Sequence, residues 1–348
     1  MITPLQVTII TETRNDAIGI YNEGLVPQLL DRSPGLRHLQ LNNRVYRKRL
    51  VNTALSLWNT AKLPATLPSD HVLFFTDPIT IKAQAAFFLR NKKVLVVHHV
   101  PEEEPSYYRR LPYFNLKKLF RRFCTIICDS EFTRLQVAKL AVPSQQVMVV
   151  HCGLDHDLFK PTEKRIPDID YPFILHVGTE APRKNMAGLL EAFLLLKQDF
   201  PALKLIRLGH PGKPAYRRST LECIKRLGIE SEINLAGEIP RADLPTYYSQ
   251  AELLLFPSLL EGFGMPVVEA MACGCPVVTS GRGSLKELVG NTQIIANPAD
   301  PADIAARCRM VLEDKTQRDR MAKAGIKQAG EFTWSKTADA VFQVLSGI

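Results

Sequence analysis

The chain has no C-x-x-C pair, no run of about 18 apolar residues, no internal repeat and no low-complexity segment. Without the long apolar run there is no candidate membrane-spanning helix. The missing repeat argues against a solenoid. Seven cysteines, an odd count, carry none of the spacings of a disulfide framework or a zinc finger. The first apolar stretch, Val7-Thr8-Ile9-Ile10, is too short for a secretory h-region and has no cationic segment before it. It reads as a first strand, and reduced thiols in a cytoplasmic protein are the expectation. Cys124, Cys128, Cys273 and Cys275 stand in apolar surroundings and are expected to be buried.

What is present is an ordinary globular composition, 348 residues with 46% hydrophobic and 23% charged, long enough for two domains. The net charge of +9 is unevenly placed. Residues 1–165 hold 23 Lys and Arg against 14 Asp and Glu, whereas residues 166–348 hold 21 of each. An anionic partner is therefore expected for the first half alone. No nucleic-acid motif and no basic stripe interleaved with aromatics accompanies the charge, so nucleic acid is not the expected partner.

Short β-branched runs alternate with amphipathic stretches in both halves, the pattern of a parallel sheet wrapped by helices. Strands are expected at 5–11, 71–75, 93–98, 125–129 and 146–151, then at 173–177, 204–208, 233–236, 252–256, 276–280 and 293–296. The polar, proline-bearing stretch Lys160–Pro167 is the best linker. The expected fold class is α/β: two Rossmann-like, doubly wound domains facing across a cleft. The expected domains are 1–162 and 163–332, with a last helix, 333–348, that Thr333 can cap.

Residues 257–280, PSLLEGFGMPVVEAMACGCPVVTS, are the most informative stretch. A strand ends at Phe256, and a loop carrying Glu261, Gly262, Phe263 and Gly264 leads into a helix that Pro266 can open and Gly274 can close. Loops at the carboxyl ends of parallel strands hold ligands, and a helix N-terminus there favours phosphate. Glu261 and Glu269 would accept hydrogen bonds from hydroxyl groups on either side of that phosphate. Hydroxyls, diphosphate, hydroxyls is the layout of a nucleotide sugar. A second loop, Gly178–Asn185, follows the first strand of the second half. Its adjacent Arg183 and Lys184 could neutralise a diphosphate without a metal, although a solvated turn would look the same in isolation.

His98 and His99 follow the strand Lys93–Val97, and a histidine at a strand's carboxyl end faces the ligand side. His98 continues the strand and is the preferred site residue; the other histidines beyond this pair read as structural. No further ligands at suitable spacing support zinc. Two D-x-D tripeptides, Asp155–Asp157 and Asp168–Asp170, lie near the linker and not in a loop backed by a strand, so no metal is expected. Tyr113–Phe123 reads as an amphipathic helix with Leu116, Leu119, Phe120 and Phe123 on one face and Lys117, Lys118, Arg121 and Arg122 on the other. Arg109 and Arg110 add to six cations without an acid, a pattern suited to an anionic membrane surface or a lipid-linked acceptor. A surface helix would explain the apolar stripe but not the charge.

Together these residues resemble glycosyltransferase family 4, retaining nucleotide-sugar enzymes of the GT-B architecture. The resemblance is strongest from Ile174 to Trp334, through ILHVGTEAPRKN, KLIRLG, the Glu261–Glu269 stretch and the terminal FTW. It continues through VVHH, CDSEFTR and HCGLDHDLFKP, and Ala17–Tyr21 is similar to the family's glycine-rich loop. Three positions depart from the pattern: Ala17 where glycine is usual, Cys152 where asparagine is common, and Lys286 where proline often stands. The resemblance implies that Glu269 binds ribose hydroxyls, Glu261 contacts the donor sugar, and the Gly262–Gly264 backbone lines sugar and phosphate. It further implies Arg183 and Lys184 at the diphosphate, Gly178 in the phosphate turn, His98 at the donor's hydroxymethyl side and Gly19 under the phosphate.

The first domain would bind a glycan or lipid-linked acceptor, and the last helix would cross back to it. A hexose, of mannose or glucose type, would pass to an acceptor hydroxyl with retention, in polysaccharide, glycolipid or lipid-linked glycan assembly. The donor would be the substrate, with no tightly bound cofactor and no metal, and the enzyme could lie peripherally on the inner membrane face. Rival readings are a nucleotide-sugar epimerase or a phosphorylase on the same fold, and a sugar-binding module without turnover.

Overall fold

Runs such as Phe173-Ile174-Leu175-His176-Val177 and Leu253-Leu254-Leu255-Phe256 are apolar at nearly every position because both faces of their sheet are covered. A computed structural model describes residues 6–12, 17–41, 67–77, 89–100, 116–141 and 145–348. It divides into two units, residues 1–153 with 333–348, and residues 154–332. The sequence places the boundary at 162/163. Leu154 and Phe159 are buried, and Thr162 donates its N–H to Ser249 at 3.2 Å, which ties this stretch to the second unit.

The first unit is a parallel six-stranded sheet of order β2-β1-β3-β4-β5-β6. Its strands are β1 Val7–Glu12, β2 Leu36–Leu41, β3 Val72–Phe75, β4 Lys93–Val97, β5 Thr125–Cys128 and β6 Gln146–Val149. The described helices are α1 Ala17–Leu30, α2 Leu116–Phe120 and α3 Glu131–Ala138. Strand β2, LRHLQL, is absent from the sequence reading. It is an edge strand in register with β1 from Val7↔Leu36 to Glu12↔Leu41, and its exposed Arg37, His38 and Gln40 mask the apolar signal. The basic helix also stops earlier than expected. It ends at Phe120, while Leu119, Phe120 and Phe123 enter the core beside Leu95 and Ile126. Lys118, Arg121 and Arg122 are exposed. Arg109 and Arg110 lie outside the described residues, as does the side chain of Lys117.

The second unit has β7 Phe173–Val177, β8 Lys204–Leu208, β9 Ile233–Gly237, β10 Leu253–Phe256, β11 Val277–Ser280 and β12 Ile294–Ala296. Their spatial order is β12-β11-β10-β7-β8-β9, all parallel. Read from β9, this is the 3-2-1-4-5-6 order of a doubly wound nucleotide-binding sheet, whose direction of winding reverses between β7 and β10. Helices α4 Met186–Lys197, α5 Pro214–Leu227, α6 Leu244–Gln250, α7 Met265–Ala272, α8 Leu285–Val289, α9 Pro301–Glu313 and α10 Lys315–Ala329 connect and flank it. Leu189, Phe193, Leu205, Leu253, Leu255 and Ile304 share one core cluster, each fully buried.

The closing helix, α11 Trp334–Ser346, belongs to the first unit. Thr333 caps it as expected, accepting the Lys336 N–H at 3.2 Å. Thr337 donates its hydroxyl to the His151 carbonyl at 2.9 Å, and the Trp334 ring meets Tyr21 edge-on at 5.6 Å.

Candidate active site

The winding reversal puts the loop after β7 beside the loop after β10. Each loop is held in place by local chemistry. Pro182, Arg183 and Lys184 form a single 3₁₀ turn, after which Asn185 takes a left-handed φ of 56°. The Asn185 side-chain amide donates to the carbonyls of Pro257 at 3.2 Å and Pro298 at 2.7 Å. The Leu259 N–H donates to the Arg183 carbonyl at 2.7 Å. These bonds clamp the cation-bearing turn onto the start of the acidic loop.

Within the clamp three of the predicted residues meet. The Glu261 carboxylate forms an ion pair with Lys184 Nζ at 2.7 Å and accepts a hydrogen bond from Arg183 at 2.8 Å. Glu261 and Lys184 are buried, whereas the Arg183 side chain is 41% exposed. Burial raises the Glu261 pKa, but Lys184 and Arg183 outweigh it and hold the carboxylate below its ordinary range. Burial lowers that of Lys184, with the Arg183 charge adding and Glu261 opposing. Two cations against one anion leave a net positive trio whose accessible charge is the Arg183 guanidinium. Gly178 is needed beside it, since a Cβ there would come within 3.3 Å of Lys184 Cε. Lys184 also lies 4.4 Å from the centre of the Phe256 ring.

Behind Glu261 the loop is shaped by glycines. Gly264 has φ 110° at the N-terminus of α7, and an added Cβ would strike Leu285 at 2.8 Å. Gly283, with φ 62°, packs so closely on the Glu261 backbone that a Cβ would lie 2.5 Å from its carbonyl oxygen. Ser284 donates its hydroxyl to the Phe263 carbonyl. Phe263 is buried edge-on against Phe332, and Gly262 is partly exposed. Pro266 stands in the first turn of α7, and Gly274, with φ 74°, follows its end.

Glu269 has a different partner. It is buried on α7 and accepts the Tyr248 hydroxyl hydrogen bond at 2.9 Å, and burial raises its pKa. The structure records no contact between Glu269 and the Arg183–Lys184–Glu261 trio. His98 and Gly19 belong to the first unit. Gly19 lies in the first turn of α1, so the segment expected as a loop is helical from Ala17. His98 follows β4; its Nε2 is 3.0 Å from the Thr76 carbonyl and its Nδ1 3.3 Å from Asp129. Burial lowers the His98 pKa, but Asp129, Asp77 and the Thr76 carbonyl together raise it above the ordinary value. Asp155 accepts the N–H groups of Asp157 and Leu158 at 3.1 Å, the role of a turn residue.

Some supporting residues escape sequence reasoning. Arg207, on β8 and 1% exposed, donates to the carbonyls of Gly178, Gly209 and His210 and lies 3.5 Å from Glu180. Glu180 in turn pairs with Arg217 at 2.7 Å. This buried cluster fixes the first turn of the unit. A mid-strand arginine in KLIRLG was its only trace in the sequence. His176, read as structural, is fully buried and bonded to the Leu255 carbonyl at 2.9 Å.

Residues 159–328 match the family described as glycosyl transferases group 1. Over this segment, just under half of its length, the chain is similar to the group 1 glycosyl transferases. The matched segment contains the whole Arg183–Lys184–Glu261 trio and Glu269. O-antigen chain mannosyltransferase B of Escherichia coli is 33% identical over 223 residues, 60% of this chain and 57% of that protein. MMP alpha-(1->4)-mannosyltransferase of Mycolicibacterium hassiacum is 32% identical over 203 residues, 57% of this chain and 47% of that protein. The chain thus spans about half the length of these curated relatives. The solved structure of Anabaena HepE in complex with UDP and glucose superposes with a TM-score of 0.79 at 18% identity, covering 99% of this chain and all of that one. Sucrose-phosphate synthase from Thermosynechococcus elongatus gives 0.76 at 20% identity, covering 98% of each. At such identities the likeness shows the fold alone, two Rossmann-like domains in the GT-B architecture.

Proposed function

We propose that the chain transfers a hexose from a nucleoside-diphosphate sugar to an acceptor hydroxyl, with retention at the anomeric carbon. The observation that carries this reading is the Arg183–Lys184–Glu261 trio held at the winding reversal of the nucleotide-type sheet. Arg183 and Lys184 would neutralise the diphosphate leaving group, so their charges stand ready before the bond to the sugar breaks. Glu261 holds both cations and would meet the donor sugar, with the Gly262–Gly264 backbone beside it. Glu269, oriented by Tyr248, would accept from the ribose hydroxyls. The departing phosphate would receive the acceptor's proton in a front-face displacement. No step calls on a metal.

The relatives named as mannosyltransferases favour mannose, and the complexes of HepE hold UDP or UDP-glucose, so guanosine and uridine donors are the first to test. A relative named for the O-antigen chain supports bacterial polysaccharide assembly, and a lipid-linked acceptor met on the cytoplasmic side completes this reading. The first unit would take the acceptor. Lys118, Arg121 and Arg122, with Arg109, Arg110 and Lys117, would bring it to anionic lipid. His98 could meet the donor only by leaving Asp129 or Thr76, so its contact with the hydroxymethyl group is secondary in this scheme.

The test is a melting-temperature panel with uridine, guanosine and adenosine diphosphates, followed by product analysis with the matching sugar donors. A nucleotide at 100 times its dissociation constant should stabilise by about 2.7 kcal/mol. The reading fails if no nucleoside diphosphate stabilises the protein. Conversion of a donor to its epimer without any acceptor would replace it with the epimerase alternative.

A further inference from the structure

In the first unit, parallel strands β4, β5 and β6 lie side by side, and the residues just past their carboxyl ends converge. His98 follows β4, Asp129 follows β5 and Cys152 lies shortly after β6. Their ligand atoms lie within 4.8 Å of one another. Asp129 and Cys152 are buried, and the His98 side chain is 15% exposed. We propose that His98 Nδ1, an Asp129 carboxylate oxygen and Cys152 Sγ form a binding site for a borderline divalent metal, Zn²⁺ in the first place. The site shares His98 with the transferase reading, where that residue is secondary, and does not depend on that reading.

Hydrogen-bond polarity supports the assignment. The Thr76 carbonyl only accepts, so His98 Nε2 must carry the proton in the bond between them. Without a metal, a proton shared by Nδ1 and Asp129 occupies the space between them. Once that proton leaves, both atoms present lone pairs to the same point, where a divalent cation can take its place, and a backbone carbonyl holding the far ring nitrogen is the usual support for a metal-binding histidine. The separation fits as well. A charge-assisted hydrogen bond would bring nitrogen and oxygen to about 2.8 Å. Two ligands of one tetrahedral zinc stand about 3.3 Å apart, and 3.3 Å is the observed His98–Asp129 distance.

Charge closes the account. Zn²⁺ with an aspartate, a thiolate and a neutral imidazole is neutral in total, as a buried site requires. Binding releases to solvent the Cys152 thiol proton and the proton shared by His98 and Asp129. A fourth position has a neighbour in Tyr21. Its ring meets His98 edge-on at 4.7 Å, and its hydroxyl is buried without a hydrogen-bond partner among the described residues.

The test uses the full chain, purified without chelator, with metal content measured by mass spectrometry before and after loading with Zn²⁺ alone. About one tightly held metal ion per chain is expected. Replacement by Co²⁺ should give a thiolate-to-cobalt charge-transfer band in the near ultraviolet, and Cys152→Ser should abolish it. Cys152→Asn installs the residue common at this position in the resembling family. It should fold and lose the metal, keeping the test decisive if the serine variant does not fold. Wild-type protein without a thiolate–cobalt band, or equal metal content in both Cys152 variants and the wild type, would overturn the proposal.

Discussion

Lys184 and Arg183 bind the same carboxylate from opposite conditions of solvation, so their removal should have different consequences. Lys184→Ala deprives a buried glutamate of its closest partner and should cost about 3 kcal/mol of stability. Arg183→Ala removes a half-exposed partner and should cost less than about 1 kcal/mol. Both should lower turnover, Lys184→Ala by ~100-fold or more, because a preorganised charge at the leaving group is lost. Denaturant titration alongside steady-state kinetics separates the two effects, and wild-type turnover in Arg183→Ala would remove that residue from the diphosphate site. His176 makes a prediction about pH. Burial, reinforced by the charges of Lys184 and Arg207, lowers its pKa from 6.5 to about 4. Above pH 6.5 both folded and unfolded states are neutral at this residue. Between 6.5 and 4 only the unfolded state takes up the proton, so stability falls with pH by about 3 kcal/mol, and no further loss from this group follows below 4. Urea midpoints across that window should show the slope in wild-type protein and a shallower one in His176→Asn.

At the scale of elements, helix packing depends on a few close approaches. Trp334 opens α11 and lies on Gly24 of α1, where a Cβ would come within 2.0 Å of the indole. Gly24→Ala should therefore displace the indole and destabilise the first unit by about 1–3 kcal/mol. Near-ultraviolet circular dichroism should lose tryptophan signal while the far-ultraviolet spectrum persists. An unchanged melting temperature would mean that α11 has an equally good second seat on α1. The same logic explains which elements were legible in advance. β7 and β10, with every residue buried, announce themselves as apolar runs. β2 is an edge strand carrying Arg37, His38 and Gln40, and only its register against β1 reveals it. The basic helix was overextended because its apolar positions continue to Phe123 after the helical backbone has ended at Phe120.

For the whole molecule, charge is the property with a measurable consequence. The first unit holds 21 Lys and Arg against 12 Asp and Glu, while the second holds 23 of each. The entire excess of +9 thus belongs to one unit, the one expected to meet the acceptor. Sedimentation with anionic vesicles should carry the protein down at low ionic strength, and binding should fall steeply above about 0.15 M salt. Neutral vesicles should not bind it. Equal binding to both kinds of vesicle would separate the charge from any membrane role.

The sequence alone determined the alternation of strands and helices, the capped closing helix and the paired loops with their glycines. These follow from local rules of periodicity, φ and burial that act over a few residues. Tertiary structure decided the partners. That Glu261 binds Lys184 and Arg183, that Glu269 instead takes Tyr248, and that Arg207 braces the Gly178 turn depend on which strand ends the sheet order makes neighbours. His98, Asp129 and Cys152 are the clearest case. They come from three separate strands at intervals matching no ligand motif, and parallel pairing, a long-range interaction, is what brings their side chains together.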